Sequence, residues 1–475
     1  MNFHSRDFSS IDRKTRMAIP SQGVPNRPAW DRVRDFDDVR LPLDAERAVY
    51  EASRCIHCPD PAPCTKACPA HNDISLALWF IEQGEFLKAA SVYRETSSMP
   101  EICGRICPHE QLCQGSCPRS KRGEPVISGA LEAFVADYER SVVGRKLNVP
   151  PSTGRKVAVV GAGPAGLACA EQLVQYGHWV TIFDARPAPG GLLTYGIPNF
   201  KLPKSIVSNW WEDLDQAGVK FIGNTYVGKA KTINSLFTDG YEAIFVGVGA
   251  GVDASMDAPG ENLPGVYKAT DFLIRANVPS DQHPKSMQKP LKVGHKVAVI
   301  GGGDTASDCL RTALRLGAEE VVCLYRRTEA EMPGGVYDRH LACEEGAQYQ
   351  YLTQPVRFIA GEDGRLAKIE CIRMQLGEPD EKGRRRPVPL KGSNFHIEAD
   401  TAVLALGYYP DPTIGATTPG LKTHKWGLII TDHDTGATSR MGVFVGGDVV
   451  TGPNLVVTAM VAGRKAARTI DAYLY

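Results

Sequence analysis

The sequence has little that would place the chain in a membrane or against nucleic acid. No stretch approaches the roughly 18 consecutive apolar residues of a membrane-spanning helix. The 54 Lys and Arg residues are balanced by 54 Asp and Glu residues, so there is no general electrostatic reason to bind nucleic acid or an anionic membrane. Residues 1–6 lack the apolar core of a signal peptide. We therefore expect a cytoplasmic protein with no membrane span.

Cysteine pairs with a two-residue gap are absent after Cys58. This argues against a thiol–disulfide reductase, because such an enzyme needs a redox-active cysteine pair. We expect the five later cysteines to be small buried core residues, which suits a reducing cytosol. They are Cys169, Cys309, Cys323, Cys343 and Cys371.

Eight cysteines, in contrast, crowd into the first quarter of the chain. They read Cys55-x2-Cys58-x5-Cys64-x3-Cys68 and Cys103-x3-Cys107-x5-Cys113-x3-Cys117. Two sets of four closely spaced thiols have the number and density needed to bind two iron–sulfur clusters. A disulfide framework belongs to small secreted chains, and zinc sites usually use paired two-residue gaps, which only Cys55 and Cys58 provide. The pattern therefore favours two [4Fe-4S] clusters over both alternatives.

The region around these cysteines is expected to be helical. Residues 1–45 are polar and rich in Pro and Arg, and they predict an extended arm. Residues 46–150 predict a helical domain around the clusters, in which Asp73 caps one helix, Gly84 ends it and Ser128 starts another.

A complete dinucleotide-binding pattern begins at Lys156. A buried strand leads into a G-x-G-x-x-G turn and a helix, whose N-terminal N–H groups favour a pyrophosphate. The candidate residues of this turn are Gly161, Gly163, Pro164, Ala165 and Gly166. The next strand ends at Asp184, whose carboxylate can accept from both ribose hydroxyls and would repel a 2′-phosphate. This module is expected to bind FAD.

The same design recurs 140 residues later, at Gly301-x-Gly303-Asp304-Thr305-Ala306. Here the second strand is followed by Arg326 and Arg327, where the first module carries its acid. Two guanidinium groups can bind a 2′-phosphate, which favours NADPH over NADH. The alternative is that both arginines simply face solvent at a strand end.

A late Gly446-Gly447-Asp448 loop predicts the closing part of the FAD site, with Asp448 accepting from the ribityl chain. We therefore expect an α/β fold with two nested Rossmann-like domains, for FAD and NADPH, behind a helical ferredoxin-like iron–sulfur domain. The predicted limits are 151–285 for the first part of the FAD-binding domain, 286–400 for the NADPH-binding domain and 401–475 for the second part of the FAD-binding domain.

Over nearly its whole length the chain resembles the small-subunit family of NADPH-dependent glutamate synthase. That family includes the flavoprotein subunit of NADH-dependent ferredoxin:NADP oxidoreductase and the N-terminal half of dihydropyrimidine dehydrogenase. The shared features are the eight-cysteine domain, the 161–166 turn, Gly190-Gly191-Leu192, Tyr195-Gly196-Ile197-Pro198, Lys201-Leu202-Pro203-Lys204, Arg326-Arg327-Thr328 with Glu331-Met332-Pro333, and Gly446-Gly447-Asp448. Through this resemblance Gly191 and Leu192 become candidate FAD contacts.

The resemblance also implies how the clusters are bound. One would use Cys55, Cys58, Cys64 and Cys117. The other would use Cys68, Cys107 and Cys113 with an oxygen ligand, for which Glu132 is the candidate. Cys103 is the rival, because thiolate suits iron–sulfur clusters better than carboxylate. A third possibility is that Glu132 is merely a solvated helix residue.

The implied function is electron transfer from NADPH through FAD and the clusters to a partner, without a catalytic acid or base. Glutamate synthesis would need a large subunit, because residue 2 is Asn rather than Cys and no segment remains for an FMN-binding barrel. A glutamate synthase small subunit is the expected role. The alternatives are a ferredoxin:NADP oxidoreductase of the electron-bifurcating type, with ferredoxin as partner, and a non-catalytic electron-wiring subunit.

Overall fold

The cysteine-rich part of the chain is helical, as expected. The computed structural model describes residues 8, 11–284, 287–379, 381, 383 and 385–475. The helices of this part are α1 (Arg13–Ala18), α2 (Ala29–Arg32), α3 (Ala45–Ser53), α4 (Pro63–Ala67), α5 (Ile74–Glu82), α6 (Phe86–Thr96), α7 (Pro100–Ile106) and α8 (Ser128–Val142). The Asp73 carboxylate accepts from the Leu76 N–H at the start of α5, and Gly84, at φ +72°, follows its end. The predicted cap and break are confirmed.

The arm is not simply extended, and this corrects the sequence prediction. Its described part contains α1 and α2, and the Asp12 carboxylate caps α1 by accepting from two backbone N–H groups. Further along, the Val39 N–H donates to the Phe200 carbonyl, and the buried Arg32 pairs with Glu345 at 3.1 Å. The arm therefore packs against distant parts of its own chain, a contact that local sequence does not reveal.

Strands and helices alternate from Lys156 onward. The first group is β1 (Lys156–Val160), α9 (Pro164–Gln175), β2 (Trp179–Phe183), α10 (Leu192–Tyr195), α11 (Lys204–Gln216), β3 (Lys220–Ile222), α12 (Ile233–Thr238), β4 (Ala243–Val246) and β5 (Val252–Asp253). The second is β6 (Val266–Lys268), α13 (Ala269–Asn277), β7 (Lys296–Ile300), α14 (Asp304–Arg315), β8 (Glu320–Leu324), α15 (Val336–Glu344), β9 (Gln348–Gln350), β10 (Thr353–Ala360), β11 (Leu366–Pro379), β12 (Arg385–Pro389), β13 (Phe395–Glu398), β14 (Thr401–Leu404) and β15 (Tyr408–Tyr409). The last is α16 (Thr413–Thr417), β16 (Val443–Val445), α17 (Asp448–Thr451) and α18 (Val456–Leu474).

These strands form two parallel five-stranded sheets. The first has the order β16-β4-β1-β2-β3 and the second β6-β14-β7-β8-β9. Every strand of the second sheet falls between β4 and β16 in the chain, so the predicted nesting of two α/β modules is confirmed. Strands β10 to β13 form an antiparallel sheet inserted into the second module.

The predicted limits of the second module are narrower than its sheet. β6 lies before residue 286 and β14 lies after residue 400, yet both pair within the second sheet. The three-residue β6 is too short to show a clear strand pattern in sequence. The division of the chain into domains otherwise stays a prediction.

One buried core joins the cysteine-rich helices to the first α/β module. It contains Leu78 and Leu131 from the helices together with Val159, Leu167 and Met460 from the module. Within the described ranges, no helix is long and apolar enough to cross a membrane. The later cysteines are buried except Cys343, which is exposed near the end of α15 and corrects that expectation.

Candidate cofactor sites

Five thiols line one cavity in the helical part, and we call four of them the first thiol site: Cys55, Cys58, Cys64 and Cys117. Apolar side chains, including Ile74, Leu78 and Val126, complete its walls. Burial raises the pKa of Cys55 to about 12, although the His57 backbone N–H donates to its sulfur and acts in the opposite direction. The donor set and its dry surroundings fit an iron–sulfur cluster. No group of three or more His, Cys, Asp or Glu among the described residues is arranged to bind a single metal ion.

The remaining thiols and Glu132 lie deeper, and we call them the second thiol site: Cys68, Cys103, Cys107, Cys113 and Glu132. A hydrogen bond with Cys103, together with burial, raises the pKa of Cys107 well above its usual value. Cys113 also lines the first cavity and accepts from the Ser128 hydroxyl at 3.1 Å. The two sites are therefore adjacent.

Glu132 is not a solvated helix residue, because it is only 7% exposed. Burial, reinforced by nearby Cys103, raises the pKa of its carboxyl well above the usual value. The Asn72 amide donates to it at 3.4 Å. Cys103, on α7, is also buried, at 3% exposed. Both candidates for the fourth ligand therefore lie at this site, and the choice between them stays a prediction.

A cavity of about 510 Å³ lies at the carboxyl edge of the first sheet. It brings together the predicted FAD contacts, which are Gly161, Gly163, Pro164, Ala165, Asp184, Gly191, Leu192, Gly447 and Asp448. Gly166 lies behind this surface, where a Cβ would come within 1.8 Å of the Gly161 carbonyl oxygen. At Gly163 a Cβ would meet no protein atom within 4 Å. The arrangement fits a dinucleotide whose pyrophosphate reaches the start of α9.

Asp184 is fixed at the edge of this cavity. One carboxylate oxygen accepts from the Ala162 N–H at 2.6 Å and the other from the Arg186 N–H at 2.7 Å. Burial raises the pKa of this carboxyl, and the two N–H donors act to lower it. Each oxygen keeps a lone pair, so the carboxylate can still accept from ribose hydroxyls.

The loop Gly446-Gly447-Asp448 lines the same cavity, although it follows the first glycine turn by 280 residues in the chain. Gly447 adopts φ +81°, and a Cβ there would come within 3.1 Å of the Ala165 Cβ. Asp448 follows as the first residue of α17. Burial raises the pKa of its carboxyl to about 6, although the Asn454 backbone N–H donates to it.

Several lining residues escaped the sequence analysis. Tyr226, Asp411 and Thr413 line the far wall, where the Tyr226 hydroxyl donates to the Asp411 carboxylate. Nothing local marks these positions, because distant segments bring them together. The Gly-rich run at 247–251 also lines the cavity. This run directly follows β4. Glycines after a parallel strand are typical of a nucleotide-binding edge, so the sequence could have identified it as part of the site.

The second glycine turn lies at the corresponding edge of the second sheet. At Gly301 a Cβ would come within 2.1 Å of the Ala405 carbonyl oxygen, whereas at Gly303 it would meet no atom within 4 Å. Asp304 begins α14 and its carboxylate accepts from the Gly335 N–H at 2.7 Å. Thr305 forms a hydrogen bond with Tyr408. The turn therefore repeats the dinucleotide cradle of the first module.

The two arginines after β8 have different surroundings. Arg326 is exposed, which leaves open the alternative of a solvated strand end. Arg327 is half-buried and its Nε donates to the Arg385 carbonyl oxygen at 3.0 Å. Both follow the strand next to the glycine turn, as a 2′-phosphate site requires.

A lysine motif shared with the family links the two modules, and its structural role was not foreseen. The Lys201 ammonium lies 3.2 Å from the Asp308 carboxylate and 2.6 Å from that of Asp338. Burial acts to lower the pKa of Lys201, but these carboxylates outweigh it and raise the pKa. Lys201 therefore helps fix the position of the second module relative to the first.

Comparisons with known proteins agree with this layout. Residues 32–143 match a family described as dihydropyrimidine dehydrogenase domain II, 4Fe-4S cluster, and residues 155–463 match pyridine nucleotide-disulphide oxidoreductase. The putative oxidoreductase AegA of Escherichia coli is 41% identical over 96% of this chain and 70% of its own length. The glutamate synthase [NADPH] small chain of Halomonas elongata is 38% identical over 99% of this chain and 98% of its own length.

The solved structures add the fold. FprA of Mycobacterium tuberculosis, in complex with NADPH, covers 68% of this chain and 84% of its own, with 23% identity and a TM-score of 0.57. The family matches and the cavities agree that the cofactors are FAD, NADPH and [4Fe-4S] clusters. The chain belongs to the family that contains the NADPH-dependent glutamate synthase small chains, and it is an NADPH-dependent iron–sulfur flavoprotein oxidoreductase.

Proposed function

We propose that the chain is the electron-input subunit of a glutamate synthase, cytoplasmic, with one [4Fe-4S] cluster at each thiol site. Bound FAD would supply the chemistry that converts a hydride from NADPH into single electrons for the clusters. The protein residues bind and orient these groups. The observation that carries the proposal is that helix α18 begins at the FAD cavity and then contacts the segment just before the helix bearing Cys103.

Helix α18 makes this contact. Its start lines the FAD cavity through Leu455 and Val456. Further along the same helix, the Met460 sulfur accepts from the Ser98 N–H at 3.3 Å. Ser98 lies two residues before α7, which carries Cys103. A single packed route therefore leads from the FAD cavity to the second thiol site.

Buried and partly buried ion pairs fix the helices around this route. Arg140 of α8 lies 2.7 Å from the Asp213 carboxylate of α11. Arg145 lies 2.7 Å from the Glu171 carboxylate of α9, which also accepts from the Trp210 indole. A fixed spacing between the flavin and the thiols suits electron transfer without a large conformational change.

The α18 N-terminus gives the cavity a second property. Leu455 precedes the helix and lines the cavity, so the unpaired N–H groups of the first turn lie on that side. Their partial positive charge stabilises negative charge that develops on the flavin ring. No protein acid or base is needed for the transfer.

Glutamate chemistry would come from a large subunit. The sheets of the described residues are two parallel five-stranded sheets, a four-stranded antiparallel sheet and a two-stranded ribbon, which hold no eight-stranded barrel for FMN. Relatives named glutamate synthase [NADPH] small chain are 37–38% identical. They support a partner of the large-subunit kind.

A second candidate has its own support. AegA and UacF, both named putative oxidoreductases, are 41% identical to this chain. The NADPH-Fe(3+) oxidoreductase subunit beta of Geobacter sulfurreducens is 36% identical. These names favour delivery of electrons to an acceptor other than a glutamate synthase large subunit, and the acceptor of this second candidate is ferredoxin.

Anaerobic affinity purification of the tagged chain from its own cells separates the two candidates. The glutamate synthase proposal predicts co-purification of a large flavoprotein and NADPH-dependent formation of glutamate from glutamine. Reduction of ferredoxin by NADPH with no glutamate formation would replace it with the second candidate.

A further inference from the structure

Arg13 of the arm bonds the loop that carries Cys55 and Cys58. Its Nε donates to the Ile56 carbonyl oxygen at 3.0 Å and its Nη2 to the His57 carbonyl oxygen at 3.1 Å. We call residues 53–58 the cysteine loop. One guanidinium thus spans two successive peptides of this loop from more than 40 residues away in the chain.

Arg16 bonds the same loop one helical turn later. Its Nη1 donates to the Ser53 carbonyl oxygen at 2.9 Å and to the Cys55 carbonyl oxygen at 3.0 Å. The Glu82 carboxylate binds this guanidinium through two hydrogen bonds of 2.8 and 2.6 Å. Arg16 therefore fixes the loop with its charge balanced, whereas the bonds of Arg13 given above are to neutral carbonyls.

The peptide between Ile56 and His57 shows what this bonding does. Its carbonyl oxygen accepts from Arg13, and its N–H donates to the Cys55 sulfur. The carbonyl and N–H of a trans peptide point in opposite directions. By holding the carbonyl outward, Arg13 keeps the N–H directed inward at a thiol of the first thiol site.

His57 requires such support. It adopts φ +43°, which a residue with a side chain rarely occupies and which costs free energy. The Phe8 ring stacks on its imidazole at 4.5 Å, and Trp79 meets it edge-on at 5.6 Å. The arm therefore both holds the cysteine loop and covers it.

We propose that Arg13 and Arg16 position the cysteine loop and thereby raise the reduction potential of the cluster at the first thiol site. Reduction adds an electron to an anionic cluster, so N–H donors to its sulfurs and a nearby guanidinium favour the reduced form. The inference rests on the proposed function, which puts a cluster at this site. It assigns a role to the arginines of the arm, which are positioning residues and do not bind iron.

A redox titration followed by electron paramagnetic resonance tests this on the complete, anaerobically purified holoprotein. Arg13→Gln removes the charge and the two hydrogen bonds, and Arg13→Lys restores only the charge. Lys14→Gln removes an exposed charge next to Arg13 on α1 without touching the cysteine loop. Cys58→Ser identifies which signal belongs to the first thiol site. Iron, sulfide and FAD contents are measured for every variant.

The first-site signal of Arg13→Gln should titrate at a lower potential than in the wild type, while the second-site signal stays in place. Arg13→Lys should recover part of the shift, and Lys14→Gln should match the wild type. Selective loss of the first-site cluster from Arg13→Gln, with FAD retained, would also support positioning.

Three results would overturn the inference: an unchanged titration of Arg13→Gln with full iron content, an equal shift in Lys14→Gln, or an equal shift of both signals. A wild-type protein with no iron at the first thiol site would contradict the proposed function itself. The two failures are therefore distinguishable.

Discussion

Arg326 and Arg327 stand where the first module has Asp184, and the change from acid to base separates the two dinucleotide sites. Charge-assisted hydrogen bonds to a phosphate are stronger than those to a neutral group. We expect the double variant Arg326→Ala/Arg327→Ala to lose about 2–4 kcal/mol of NADPH binding. NADH binding should change little, because NADH lacks the 2′-phosphate.

Rates of flavin reduction with each nicotinamide, in wild type and double variant, measure this selectivity. Arg357→Ala is a matched control, because this arginine pairs with Glu370 on the antiparallel sheet of the same module. Equal losses with NADPH and NADH, or a wild-type preference for NADH, would show that the two arginines do not select the cofactor.

Glu132 and Cys103 compete for the last ligand position of the second thiol site. We expect Glu132→Ala to alter the paramagnetic spectrum of one cluster, because a buried oxygen ligand is lost. Cys103→Ser should leave that spectrum close to the wild type. The reverse pattern would assign the ligand to Cys103.

Asp448 gives a prediction about pH. Burial raises the pKa of its carboxyl from 3.8 to about 6, so its protonated form stabilises the FAD-free fold at low pH. This contribution is complete below the unfolded-state pKa and is lost as pH rises through 6. Asp448→Asn should therefore stabilise the FAD-free protein at pH 8 by at most about 3 kcal/mol and change little at pH 4.

Denaturant unfolding of FAD-free protein at the two pH values measures this difference. The same substitution should weaken FAD retention, because an amide is a poorer acceptor for ribityl hydroxyls than a carboxylate. Equal free energies of unfolding for the wild type and Asp448→Asn at pH 8 would show that ionising the Asp448 carboxyl does not destabilise the FAD-free fold.

Helix α18 is the element that joins the FAD cavity to the cysteine-rich helices. The buried Arg464 on this helix donates to the Ser98 hydroxyl at 3.0 Å and to the Glu95 carbonyl oxygen at 2.9 Å. We expect Arg464→Met to slow electron transfer from flavin to the clusters while NADPH still reduces the flavin at the wild-type rate. The packing that sets the spacing is weakened, whereas the nicotinamide side is untouched.

Stopped-flow absorbance separates the two steps of this prediction. Lys465→Met is the control, because this neighbouring lysine contacts only the surface Asp434 and the His433 carbonyl among the bonds the structure describes. An equal slowing of both steps, or an equal effect of the control, would remove α18 from the electron route.

Sequence patterns foresaw the elements that depend on local chemistry. The Asp73 cap, the glycine turns at Gly161 and Gly301 and the alternation of strands and helices were all predicted. These features depend on residues within one turn or one strand, where periodicity and backbone freedom are decisive. The short β6 and the packing of the arm were missed, because they depend on contacts between distant segments.

The candidate site follows the same division. Nine of the ten residues predicted for the FAD site line one cavity, and Gly166 lies behind it, but Tyr226 and Asp411 reach the cavity only through tertiary folding. The Arg13 bonds to the cysteine loop likewise join segments more than 40 residues apart. No local pattern marks such a residue as functional.

At the scale of the whole molecule, the three parts form one continuous arrangement. A shared buried core joins the cysteine-rich helices to the first α/β module, and Lys201 joins that module to the second through Asp308 and Asp338. The FAD cavity lies in the first module, and Thr270 and Met287 on the side of the second module contribute to its wall. The second module, the FAD cavity and the cysteine-rich helices thus follow one another in the order that electron transfer from a nicotinamide to the thiol sites requires.

The central claim is that this single chain carries FAD and two [4Fe-4S] clusters. Cofactor analysis of the anaerobically purified chain tests it most directly. We predict one FAD and about eight iron and eight acid-labile sulfide atoms per chain, from four of each per cluster. Stoichiometric zinc without acid-labile sulfide, or FMN in place of FAD, would contradict the account.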